Sequence, residues 1–152
     1  MPLFVILIVA AQACSSQGMF ANAPDFVGRW GIDLVLADTT RHVLRLDAEP
    51  SGKGFLLVQD PRSSLVESAK PSDARWTQVG EKRVTFSGPV EFSIGNVGRE
   101  QGTLVFNGTF VTEDLISGEL AFFRAGDDPS NPQVVPSKSG TFNATRILGA
   151  QI

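Results

Sequence analysis

The sequence predicts an all-β fold: an antiparallel up-and-down barrel of about eight strands, with a β-sandwich as the alternative. Three observations carry this expectation. Apolar and polar residues alternate with period two from Phe26 onward. The chain holds 15 Gly and 9 Pro, which punctuate it into short segments. Beyond residue 13 no stretch has the 3.6-residue period of an amphipathic helix, so neither a crossover helix nor a parallel sheet is expected.

The elements follow in order. Trp30, Ile32, Leu34 and Leu36 share one face of the first strand, against Gly31, Asp33 and Val35. His42, Leu44 and Leu46 share a face of the second. Glu49-Pro50-Ser51-Gly52 turns the chain, and Phe55 and Leu57 are assigned to the inner face of the third. Leu65–Ser68 and Ala74–Val79 are further short strands, and Gly80-Glu81-Lys82 connects to Val84 and Phe86. Ser87-Gly88-Pro89 separates these from Val90, Phe92 and Ile94. Leu104, Phe106, Gly108 and Phe110 alternate with polar or smaller residues, as do Ile116, Gly118, Leu120 and Phe122 after the turn Thr112-Glu113-Asp114. A long loop, 124–139, precedes the last strand, 140–146, with Phe142 and Ala144 inward. Glycines at inward positions, Gly108 and Gly118, mark places where a strand bends, and bends let a sheet curl closed. Closure also removes exposed edges, which favours the barrel.

A chain of 152 residues fits one domain with a sizeable core. Net charge is −3 with no cluster of Lys and Arg, which excludes nucleic acid as an expected partner, since a phosphate backbone is held by clustered cations. Eleven Phe stand beside two Trp and no Tyr. Phe brings bulk without a hydroxyl to satisfy, so this set belongs in a core or an apolar cavity.

Residues 3–10 form an apolar run too short to span a bilayer permanently, and Ala11-Gln12-Ala13 has the form of an export cleavage sequence. Cys14, the single cysteine, follows directly, then a small polar stretch, Ser15-Ser16-Gln17-Gly18. This resembles the lipobox of bacterial lipoproteins, which implies lipidation of Cys14. Plain secretion and a buried apolar start in a cytosolic protein are the other readings. The expected division is a signal over 1–13, a tether over 14–25, a barrel domain over 26–146 and a tail over 147–152. The expected location is the bacterial cell envelope, with membrane contact only through a lipid anchor, or secretion. One cysteine forms no internal disulfide, so the core alone must hold the fold.

Gly28-Arg29-Trp30 opens the strand pattern and Arg146 closes it. The pair resembles the lipocalin-like superfamily, whose first strand begins G-x-W and whose last carries a basic residue that packs on that Trp. The resemblance implies that Trp30 plugs one barrel end, with Gly28 beside it and Arg146 stacked on the indole as a lid.

No catalytic constellation, metal site or cofactor motif is found. His42 is the only histidine, and a triad or zinc site needs partners for it. It reads as a surface or rim residue. Asp127, Asp128 and Asn131 lack the spacing of a calcium loop and read as a solvated turn. Asp33, Glu91 and Glu119 fall on outward parities. Asn107 and Asn143 begin glycosylation sequons by spacing, but both lie inside predicted strands. The candidate ligand pocket is the inward Phe set: Phe55, Phe86, Phe92, Phe106, Phe110 and Phe122, with Phe142 beside it. Arg45 and Trp76 are candidate rim residues, and Gly108 and Gly118 are expected to leave room. A barrel of this size is either filled or holds one small ligand. The leading functional expectation is therefore non-covalent binding of a small hydrophobic molecule. The alternative is a cell-envelope protein-interaction module, an inhibitor or assembly accessory, with a filled barrel.

Overall fold

The computed structural model describes residues 24–59, 70–94 and 98–149, and at residues 93 and 94 the backbone alone. Eight strands succeed one another: β1 (Gly28–Leu36), β2 (Arg41–Ala48), β3 (Lys53–Gln59), β4 (Ser72–Val79), β5 (Arg83–Ile94), β6 (Gly98–Thr112), β7 (Leu115–Arg124) and β8 (Lys138–Arg146). Each pairs antiparallel with its sequence neighbour, and β1 pairs with β8, so the sheet closes into a barrel as the alternation predicts. The closing seam runs from Trp30↔Arg146 to Leu36↔Gly140. No helix occurs among the described residues.

Three expectations meet corrections. Ser87-Gly88-Pro89 does not interrupt a strand: β5 runs through it, with Pro89 opposite Thr103 of β6. Pairing of β5 with β4 ends at Arg75↔Ser87, so beyond that point β5 is paired on its β6 side alone and a residue without an N–H is tolerated. The last strand begins at Lys138 rather than Gly140, because Lys138 still pairs with Phe122. The proposed short strand at Leu65–Ser68, like the signal and most of the tether, lies outside the described residues.

The third correction concerns parity on β3. Phe55 is on the outer face, 43% exposed, whereas Leu56 is buried. Residues 55–58 are all apolar, so the alternation that fixes parity elsewhere is missing there. The β2–β3 register decides it, placing Leu56 opposite inward Leu46 and Phe55 opposite outward Asp47. A slip of one residue would reverse every side chain of the strand.

The interior is dry and aromatic. Phe86 and Phe106 stack with centroids 4.4 Å apart, and Phe142 meets both edge-on at 5.6 and 5.0 Å. Among the described residues no polar or charged residue is buried. Burying each such ring contributes roughly 2–3 kcal/mol before entropy.

Candidate functional site

The end at which the chain enters and leaves the barrel is built around Trp30, which is fully buried. Its indole Nε1 donates to the carbonyl of Phe26 at 2.8 Å. Phe26, just before β1, folds under the barrel and stacks on Trp30 at 5.6 Å, with Phe86 at 5.3 Å and Trp76 at 5.2 Å. Trp76 is thus part of the wall at this end. Gln78 donates to the Pro24 carbonyl at 2.8 Å and holds the incoming segment in place.

Arg146 covers the plug, its guanidinium carbon 4.4 Å from the centre of the Trp30 ring. Its Nε donates to Asp114 Oδ1 at 3.0 Å. Nη1 donates to the Val27 carbonyl at 2.9 Å, and Nη2 to the carbonyls of Asp25 at 2.5 Å and Glu113 at 3.2 Å. One planar fork thereby ties the entry segment, the β6–β7 turn and the end of β8 together, which an ammonium group could not reproduce. Gly28, at φ +134°, is required beside it: a Cβ there would come within 2.9 Å of Arg146 Nη1. The three residues carrying the sequence resemblance therefore form one contact group.

Phe86, Phe92, Phe106, Phe110 and Phe122 all point inward and are buried, at 4% exposure or less. Phe86 stacks on Phe106, Phe92 lies against Phe122, and Phe110 meets Trp30 edge-on at 6.0 Å. The gaps expected beside Gly108 and Gly118 are taken. A Cβ on Gly108 would meet Ile116 at 2.5 Å and Phe142 at 2.9 Å. One on Gly118 would collide with the Asn107 carbonyl, because the two strands approach closely there. Gly118 thus serves close backbone approach, and the space beside Gly108 is filled by the side chains of Ile116 and Phe142.

Toward the opposite end His42, read from the sequence as a surface or rim residue, has an aromatic partner that the sequence reading did not name. His42 sits on the inward parity of β2, half-buried, and stacks on Phe92 at 4.0 Å. Phe92 in turn lies 5.9 Å from Phe122. His42 is thus a rim residue that caps the Phe92 ring. The signal was present: His42 shares period two with Leu44 and Leu46. Nearby, Lys138 Nζ bonds Glu100 at 2.9 Å and lies 3.5 Å from Asp38. The hydrogen bond to Glu100 is the main cause that holds the ammonium's pKa above its usual value, against partial desolvation. Asp38 is held below the usual carboxylate range, chiefly by the Thr40 hydroxyl.

Asp128 accepts from the backbone and hydroxyl of Ser130, at 2.9 and 2.6 Å, as a turn residue does. No group of acidic, His or Cys side chains able to hold a metal occurs among the described residues. Cys14 lies outside them. An open groove of about 430 Å³ crosses the outside of β1, β7 and β8, between Val35, Glu119 and Thr141.

The outer face of β1–β3 holds the remaining unusual cluster. Arg45 lies opposite Gly31 on one side and Leu57 on the other, away from the rim predicted for it. Its Nε is shielded from solvent and has no hydrogen-bond partner. Asp47 accepts from Arg29 at 2.8 Å and from Arg45 at 3.3 Å. Ile147 lies over Gly31, its side chain 3.6 Å from where a Cβ would stand.

No family model matches the chain. No curated protein matches it. Among solved structures the chain is similar to a redesigned β-barrel at 8% identity and a TM-score of 0.43, over 80% of this chain and 91% of that one.

Proposed function

We propose that this chain is a non-enzymatic, exported protein-interaction module: a barrel that serves as a rigid stand and binds through its outer surface. The observation that supports this reading over ligand carriage is the filled interior. The five inward Phe expected to line a pocket are buried in ring contacts with one another or with Trp30, Phe26 and Trp30 fill one end, and His42 stacks on Phe92 toward the other. A ligand in a barrel of this width would have to displace several of these rings, and each displaced ring forfeits about 2–3 kcal/mol of burial. The apolar run at 3–10 and the lipobox-like Cys14 support export and a lipid anchor at the cell envelope.

Titration with a fluorescent apolar probe tests the reading. The wild-type chain is expected to give no saturable signal. Saturable one-to-one binding that Phe106→Glu abolishes would overturn it in favour of a carrier.

A further inference from the structure

We infer that the outer face of β1–β3 is the binding surface of this module, and that its partner is a protein segment presenting a carboxylate flanked by bulky apolar side chains. The inference rests on the interaction-module reading and gives it a place and a chemistry.

The surface has a charged centre and an apolar surround. At the centre two guanidiniums, Arg29 and Arg45, share the single carboxylate of Asp47, which leaves one positive charge in excess. The Arg45 bond to Asp47 is long, at 3.3 Å, and its Nε is shielded without a partner. The Arg45 side chain is 30% exposed and among the described residues its terminal nitrogens make only that one long bond, so its outer edge is suited to a second carboxylate in the two-point geometry that Arg favours.

Around this centre stand Phe55, 43% exposed, Ile147, 42%, and Val43, 38%, with Leu57 half-buried beside Arg45. The register makes them neighbours. Arg45 is opposite Leu57, Asp47 is opposite Phe55, and Ile147 donates its N–H to the carbonyl of Arg29. Exposed Phe and Arg set among aliphatic residues form the composition in which binding energy concentrates, because the surround excludes water from the central ion pair. Asp33 and Asp73 mark the rim, opposite Val43 and Phe55. They repel a carboxylate that arrives off-centre, so the favourable position lies over Arg45 and the register of the partner is fixed.

The test selects a displayed library of random linear peptides on the immobilised full-length chain. Enriched sequences are expected to share an Asp or Glu beside bulky apolar residues. Synthetic copies are expected to lose about tenfold or more in affinity on Phe55→Ser and, separately, on Arg45→Gln. Val135→Ser, at the opposite end of the barrel, is expected to leave affinity unchanged. Thermal melting of each variant checks that the fold is intact. Absence of enrichment, enriched peptides without a carboxylate, or affinity indifferent to both patch variants overturns the inference. So does a dimer of the chain that Phe55→Ser dissociates, since the occupant is then a second copy. None of these outcomes bears on the apolar-probe titration, so the surface and the filled-barrel reading fail separately.

Discussion

His42 lies flat on Phe92, with ring centroids 4.0 Å apart and planes 22° from parallel. The pair joins β2 to β5, strands that are not neighbours in the barrel. It spans the mouth where Trp30 and Arg146 span the other end. Phe92 is 4% exposed, so its ring is as much core as lid. Phe92→Ala is expected to cost about 3 kcal/mol, and His42→Ala about 1 kcal/mol through loss of the stacking contact. Urea denaturation measures both. A Phe92→Ala cost under about 1 kcal/mol would show that the ring merely rests on the barrel.

At the other end Arg146 combines a ring contact with four hydrogen bonds, three of them to backbone carbonyls. Arg146→Ala leaves those carbonyls to water or to nothing and is expected to cost about 2–3 kcal/mol. Arg146→Lys is expected to recover less than half of that, since one ammonium cannot reach the same acceptors. Equal stability of the Lys variant and wild type would remove the fork from the explanation.

A methyl group at Gly118 collides with the Asn107 carbonyl across the β6–β7 pair, whereas one at Gly98 meets nothing within 4 Å. Gly118→Ala is therefore expected to destabilise by about 2–4 kcal/mol, and Gly98→Ala to change stability by less than about 1 kcal/mol. Thermal melts of the two variants side by side decide it. Similar shifts would mean that the strands can separate to admit the methyl.

The Lys138 cluster gives stability an alkaline limb. Because the hydrogen bond to Glu100 holds the folded-state pKa of Lys138 above its ordinary value, its contribution is complete at neutral pH. It is lost as pH rises through the folded value. Asp38 works in the opposite sense. The Thr40 hydroxyl holds its pKa below the ordinary carboxylate value, so its contribution is present above that value and fades as pH falls through the folded one. Lys138→Met is expected to flatten the curve above about pH 10 and leave its acid side in place. Denaturation midpoints across pH read this directly. An unchanged alkaline limb would place its origin elsewhere.

Strand order and closure were legible because inward and outward residues alternate cleanly on β1, β2, β6 and β7. The plug was legible because its parts, Gly28, Trp30 and Arg146, occupy the two ends of that pattern. Parity failed where alternation did, at residues 55–58. There, only the register against β2 chooses a face, and a register is a property of two strands. The role of Phe26 was hidden for a related reason: it precedes β1, and nothing local says that it turns under the barrel. Whether the interior was full or hollow was not legible either. That depends on how closely Gly118 lets β6 approach and on which side chains, Ile116 and Phe142, fill the space beside Gly108, which composition does not record. The Arg45 cluster escaped notice because its members come from β1, β2, β3 and the tail, far apart along the chain.

The seam between β1 and β8 bears on the order of events in the life of the chain. The hydrogen bond from Arg146 to Val27 spans 119 residues, and the whole β1–β8 seam joins the two ends of the barrel sequence. The first strand to emerge must wait for the last before it gains its second neighbour. Until then the sheet has two open edges, and Trp30 has no lid. Closing so long a loop is slow, so closure comes late in folding. The ring stays open until β8 is in place, and closure then brings Arg146 onto Trp30.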